Sequence, residues 1–367
     1  MPKKKTPING QPEFRLGQVL KERKTAEGSW YRLAKAISEA NGIKTGDKDA
    51  VERRKLKNLA EGLPNVPVTI QELRSIDRYL VPYHEGLGHR PLFVGPDILR
   101  SLAAEGHVTF MLGALPKEDR VDLSNWDVTA MAEIQRGLNS YTMSVRYDIQ
   151  SILRETDLNS ARSSLKDDWS RLLEDGGPSL VCLGSSRACH ASEQVLASMF
   201  DVKTFETPSA TSRRLPFHFI WPGGKQASLP SCFAMRPEEI AGIDADIASA
   251  VANHNARAFL MGDQLFLSET LGGKITRTYG VVVAQRRRHG QVWMVVAGLT
   301  GAATFAASKI VKSISQTLPH TTGSNEAPIL WTVVECMLEM VKTRSSGRIP
   351  SVVSQKIIEG PNLLSIH

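Results

Sequence analysis

Apolar residues along this chain follow two regimes. Up to about residue 80 they recur at helical spacing. Leu16–Lys24 reads as a first short helix. Ser29 to Gly42 reads as a second, with Ser29 as N-cap, Gly42 at the C-terminus and an apolar face of Trp30, Leu33, Ala34 and Ile37. A loop over 42–49 leads to a third helix over 50–60, which turns Val51, Leu56, Leu59 and Ala60 inward and leaves Arg53, Arg54, Lys55 and Lys57 to solvent or phosphates. A fourth, over 69–80, opens on the capping box Thr69-x-x-Glu72 and repeats Ile70, Leu73, Ile76 and Leu80.

Beyond a Gly-, Pro- and His-rich linker the pattern changes to short apolar runs separated by amphipathic stretches. Strands are expected at 108–114, 143–148, 179–184, 217–221 and 257–262. Helices are expected at 127–138, from about Ile149 to Leu173, at 191–200 and at 237–252. Strands alternating with helices predict a layered α/β body with a mainly parallel sheet. The runs 278–285 and 292–297 are too close for a crossover helix, so they form a hairpin and the sheet is mixed. After it the chain is helical from Ala302, with Ala303, Ala306, Ala307, Ile310, Val311 and Ile314 on one side and Thr304, Ser308, Lys312 and Ser315 on the other. That polar stripe, with Gly298, Thr300 and Gly301 interrupting the uncharged stretch 290–308, argues against a membrane span. The segment 329–342 reads as a final amphipathic helix.

The fold class is therefore α/β: an all-α N-terminal module, then a Rossmann-like body with a mixed sheet. The expected divisions are a basic tail over 1–14, the module over 15–83, a linker over 84–92, the body over 93–320 with a split near 176, and a C-terminal helix and tail over 321–367.

Charge sharpens this picture. Residues 1–80 hold 17 Lys and Arg against 10 Asp and Glu, an excess of 7 that equals the net charge of the whole 367-residue chain. A generally basic protein spreads its charge, whereas a nucleic-acid-binding module on a neutral body concentrates it. The run from Tyr31 to Ile37, the basic third helix ending in Glu61-Gly62, and the repeat of Thr69 to Leu80 together resemble a lambda-repressor-like helix-turn-helix module over roughly 15–83, with a longer loop at 41–51. The resemblance implies double-stranded DNA as partner. It implies contacts from Arg53, Arg54 and Lys57 on the groove-facing helix and from Lys44 and Lys48 on the backbone.

In the body, two strand-to-helix turns have the composition of an anion cradle. One is Gly184, Ser185, Ser186 and Arg187; the other is Gly298, Thr300, Gly301 and Thr304. Neither is a dinucleotide fingerprint, 271–276 lacks the spacing of a phosphate-binding P-loop, and no nucleophile elbow or zinc-protease motif occurs. Asp127, Glu133, Asp148, Asp263 and Glu269 are the acid–base candidates, Cys189 and His190 are adjacent, and no metal or cofactor is called for. Trp126, Trp221, Trp293 and Trp331 read as packing residues, and Arg286–Arg288 as a solvated hairpin tip. Four cysteines without paired spacing, and no apolar leader segment, predict a reduced, cytoplasmic protein. The function expected is a DNA-binding regulator whose body senses a small anionic or nucleotide-like ligand or mediates homo-oligomerisation. The alternatives are a nucleotide- or NAD-cleaving effector enzyme and a non-catalytic adaptor in a nucleoprotein complex.

Overall fold

The structure is a computed structural model. It describes residues 16–44, 50–61, then 72, 75, 76, 79 and 80, and most of 98–365, leaving out 106, 117–120, 140–144, 154–156, 161–176, 207–214, 223–228, 237, 240–244, 255, 288–290, 315–317, 319–326 and 343–347. The basic tail, the linker, Lys48 and Thr69 lie outside the described residues.

The N-terminal region forms α1 (Leu16–Glu27), α2 (Trp30–Ala40) and α3 (Arg53–Ala60). Ser29 is extended (φ −158°) and its hydroxyl accepts the amide of Arg32, so the cap stands where its side chain predicts it; Gly42 follows the helix at φ +69°. Leu20, Leu33, Ile37, Leu56 and Leu59 meet Ile76, Tyr79 and Leu80, which are helical, in one small core. Lys55 departs from its expected solvent exposure. Its ammonium lies 2.7 Å from the carboxylate of Glu72, itself only 2% exposed, so this cation pins the fourth helical segment to α3.

The body runs α4 (Ile98–Glu105), β1 (His107–Pro116), β2 (Val121–Leu123), α5 (Asn125–Asn139), β3 (Arg146–Leu153), β4 (Ser179–Leu183), α6 (His190–Phe200), β5 (His218–Ile220), β6 (Ala234–Met235), α7 (Ala245–His254), β7 (Ala258–Met261), β8 (Gln264–Leu267), β9 (Glu269–Leu271), β10 (Ile275–Arg286), β11 (Val292–Gly298), α8 (Gly301–Ile310), β12 (Ile329–Lys342) and β13 (Arg348–Leu364). The main sheet has the order β13-β12-β10-β11-β4-β1, with β2 and β3 both on β1 and β9 on β10. β3, β1, β4 and β11 are parallel, while β10, β12 and β13 are antiparallel, so the sheet is mixed. The expected hairpin is present, with Gly280 opposite Gly298 and Arg286 opposite Val292.

Strand geometry sends alternate residues to opposite faces, and here both faces are covered. Phe110, Leu112, Val282, Met294, Val296, Leu330 and Val334 pack with α5 and α8. Met111, Val281, Val283, Val295, Ile329 and Val333 pack with α6 and a second sheet of order β6-β5-β7-β8. That second sheet brings an aromatic cluster in which Phe217 stacks on Phe259 at 5.9 Å and meets Phe200 edge-on.

Three further sequence expectations, on 329–342, 149–153 and 286–287, are corrected. Residues 329–342 are a strand between β10 and β13 rather than a helix, so 321–367 is not an appendage: its two strands complete the main sheet. Residues 149–153 extend β3 instead of opening a helix. Of the polar stripe that begins on α8, Thr304 and Ser308 are buried and bond back to the carbonyls of Thr300 and Phe305, while Lys312 is exposed. Arg286 is 1% exposed and donates to the Ser101 hydroxyl, while Arg287 lies 4.1 Å over the Trp293 ring, so these two are not a solvated tip. Among the described residues no helix is long and apolar enough to cross a membrane.

Candidate functional site

β4 and β11 are neighbouring parallel strands, and the helices that follow them leave to opposite faces of the sheet, α6 to one and α8 to the other. Parting crossovers leave a crevice at the carboxyl ends of such a pair. A cleft of about 490 Å³ lies there. Its floor is made of Gly184, Ser185 and Arg187 after β4, Gly298 to Gly301 and Thr304 after β11, and Ser124 and Asp127 at the start of α5. The two turns singled out in the sequence, more than a hundred residues apart, thus form one site.

The local chain explains the shape. Gly184 has φ +103°, a conformation open to glycine, and its amide donates to the Val296 carbonyl of the adjacent strand. The carbonyl of Ser185 then takes the amides of both Ala188 and Cys189 at 2.8 Å, closing a tight loop before α6. On the other side Thr300 caps α8, its hydroxyl accepting the Ala303 amide at 3.1 Å. The amides of Gly301 and Ala302 belong to the first turn, which has no intrahelical acceptor, and they give the floor a positive edge.

The opposite wall comes from the second sheet: Trp221 and Pro222 after β5, Arg236 after β6 and Arg257 before β7. The Leu299 carbonyl holds the wall to the floor, accepting from the Trp221 indole at 3.3 Å and from Arg257 at 3.1 Å. The Arg187 guanidinium lies 5.4 Å over the Trp221 ring in a cation–π contact. Arg236 is partly engaged by Glu238 at 3.8 Å. Three guanidinium groups, two helix starts and an aromatic ring thus border one cleft, a composition that favours negative charge.

Asp127 is the exception to that charge. It is 4% exposed; burial pushes its carboxyl up to about 7, opposed by a hydrogen bond with Ser124. The other acid–base candidates lie elsewhere. Glu133 pairs with Arg136, Asp148 with His107 and Arg146, and Glu269 with Arg277; Asp263 is exposed in the β7–β8 turn. Ser186 does not line the cleft: it is buried beside Glu193, whose carboxylate accepts from the Ser231 hydroxyl at 2.5 Å and the Phe205 amide at 3.2 Å. Cys189 is buried, contacts the Met111 carbonyl, and has its thiol pushed up to about 11 by burial, so it is no nucleophile at neutral pH. His190 is buried against Phe205.

Trp221, Arg236, Arg257 and Ser124 were not legible as site residues. Each stands just outside a short element, and the pairing of β5, β6 and β7 that assembles three of them is long-range. In the N-terminal region Lys44, Arg53, Arg54 and Lys57 are exposed, and Lys57 lies 3.9 Å from Glu61. Neither a protein-family model, a curated protein nor a solved structure matches this chain.

Proposed function

We propose that this chain is a DNA-binding protein whose α/β body takes a small anionic ligand in the cleft between the Gly184 and Gly301 turns. The observation that carries the reading is the convergence of two distant turns, each of anion-cradle composition and one bearing Arg187, with Arg236 and Arg257 from a second sheet. The DNA-binding half rests on the charge excess before residue 80, the resemblance to a lambda-repressor-like module, and the exposure of Arg53, Arg54 and Lys57 on α3. Ligand binding would bias the arrangement of the basic modules of an oligomer on DNA.

The test uses the full chain. Duplex DNA binding is measured by fluorescence anisotropy at several salt concentrations, with and without pyrophosphate or a nucleotide panel. Binding that weakens steeply with salt, is lost in the R53A/R54A/K57A variant and changes with ligand supports the reading. DNA affinity that the triple variant leaves unchanged sinks the DNA-binding half. One observation favours a second reading, a nucleotide-cleaving enzyme: a buried carboxyl, Asp127, whose protonation changes near neutral pH, lines the cleft. Incubation with NAD and nucleoside triphosphates followed by chromatography separates the two, since turnover abolished by D127N belongs to the enzyme alone.

A further inference from the structure

The cleft is not uniformly suited to an anion. Arg187, Arg257 and the first turn of α8 attract negative charge, but Asp127, 4% exposed, also lines it. A phosphate set directly against an ionised Asp127 would be repelled, so the anionic part of a ligand belongs on the arginine side. What a buried carboxylate accepts is a hydrogen-bond donor. It has about four acceptor positions, and its neighbour Ser124 fills one. The ligand must therefore present O–H or N–H groups a short way from its charge. The third feature is the wall made by Trp221 and the Arg187 guanidinium over its ring, both planar groups. The indole N–H of Trp221 is taken by the Leu299 carbonyl, which leaves the wall its planar surfaces and little polar specificity. Inorganic phosphate meets one of these three demands and a sugar phosphate two. A phosphate, a vicinal diol and a planar base in one molecule meet all three, and a cleft of about 490 Å³ has the scale of a pocket for one.

Resting on the ligand-binding reading above, we propose that the cleft takes a ribonucleotide: phosphates at Arg257 and the α8 N-terminus, ribose hydroxyls on Asp127, and the base against the Arg187–Trp221 wall. Asp127 is then the residue that tells a ribonucleotide from other phosphate esters. Sites that hydrogen-bond a hydroxyl reject analogues lacking it, because the buried acceptor is left unpaired.

Calorimetry on the full chain tests this with the four ribonucleoside diphosphates, their 2′,3′-dideoxy counterparts, ribose 5-phosphate and pyrophosphate. At least one ribonucleoside diphosphate should bind tenfold or more tighter than its dideoxy counterpart and than pyrophosphate, on the order of 1.4 kcal/mol. D127N should bind the ribo and dideoxy forms alike, and R257A should weaken both. The ribo-to-dideoxy ratio should also grow as pH rises through about 7, since the diol favours the ionised carboxylate. Phosphate ionisation cancels within each ribo and dideoxy pair, and Glu193, buried beside Ser186 behind the cleft and also pushed up to about 7, acts on both members of a pair alike. The comparison of ligands needs no variant, so a misfolded D127N does not stall it. Pyrophosphate or dideoxy nucleotides binding as tightly as every ribonucleotide overturns the ribose assignment while leaving an anion site. Absence of all binding overturns the site itself.

Discussion

A Cβ placed on Gly298 would lie 2.5 Å from the Thr304 amide nitrogen and 2.7 Å from the Ala303 carbonyl carbon, both in the first turn of α8. One on Gly301 would meet the Trp126 side chain at 2.8 Å. These glycines let α8 start against the sheet and against α5. G298A is expected to destabilise the protein by about 1–3 kcal/mol through overpacking, read as a lower urea midpoint at unchanged slope. A wild-type midpoint would mean that the turn yields easily. Glu193 and Asp127 set a pH dependence. Burial pushes both carboxyls up to about 7, so between the ordinary carboxyl range and pH 7 the folded state holds more protons than the unfolded. Their contribution to stability is full at acid pH and falls as pH rises through about 7. E193Q removes half of that loss: its stability relative to wild type should improve steadily between about pH 5 and pH 8. A constant difference in urea midpoint across that range would rule the argument out.

Among elements, legibility followed burial. A helix packed on one side shows a stripe, so α2 and α3 were readable; β10 and β11, buried on both faces, were readable as two β-rich apolar runs too close together for a crossover helix. β12 was not. Leu330, Val334, Cys336 and Leu338 enter one core and Ile329 and Val333 the other. A strand buried on both faces has no alternation to show, and its Glu335 and Glu339, four apart, imitate a helical stripe. The β-branched Ile329, Thr332, Val333 and Val334 were the available signal. In α8, Thr304 and Ser308 bond back to the carbonyls of Thr300 and Phe305, which lets polar side chains be buried at that helix. The Lys55–Glu72 pair gives a prediction at this scale. K55A removes a charge-assisted hydrogen bond to a buried carboxylate and should destabilise the N-terminal region by about 1.5–3 kcal/mol, whereas R54A, at an exposed position, should cost under about 0.5 kcal/mol. Thermal melts followed at Trp30 would show equal losses if the ion pair were incidental.

For the molecule as a whole, the turns were readable because they are local and the wall was not because it is assembled by tertiary pairing. Half of the proposed ligand site therefore had a sequence signature and half had none. The two proposed functional surfaces lie in different parts of the chain, so each should be open to disabling alone. R257A should leave duplex DNA binding intact without ligand but abolish any effect of nucleotide on it, as measured by anisotropy. Loss of ligand-free DNA binding in R257A would show that the cleft is structural for the basic region.

The place of β12 in the sheet also bears on synthesis. Every residue that lines the cleft precedes residue 305, yet β10 is flanked by β12, which begins at Ile329, and β12 in turn by β13. While a ribosome is still extending the chain, the cleft segments can be out in solution with the apolar edge of β10 uncovered. Prematurely ended chains then carry the full set of described cleft residues on an open, adhesive sheet. Quality control would meet them as aggregation-prone fragments, and ligand added during translation could not rescue what only the C-terminal strands can close.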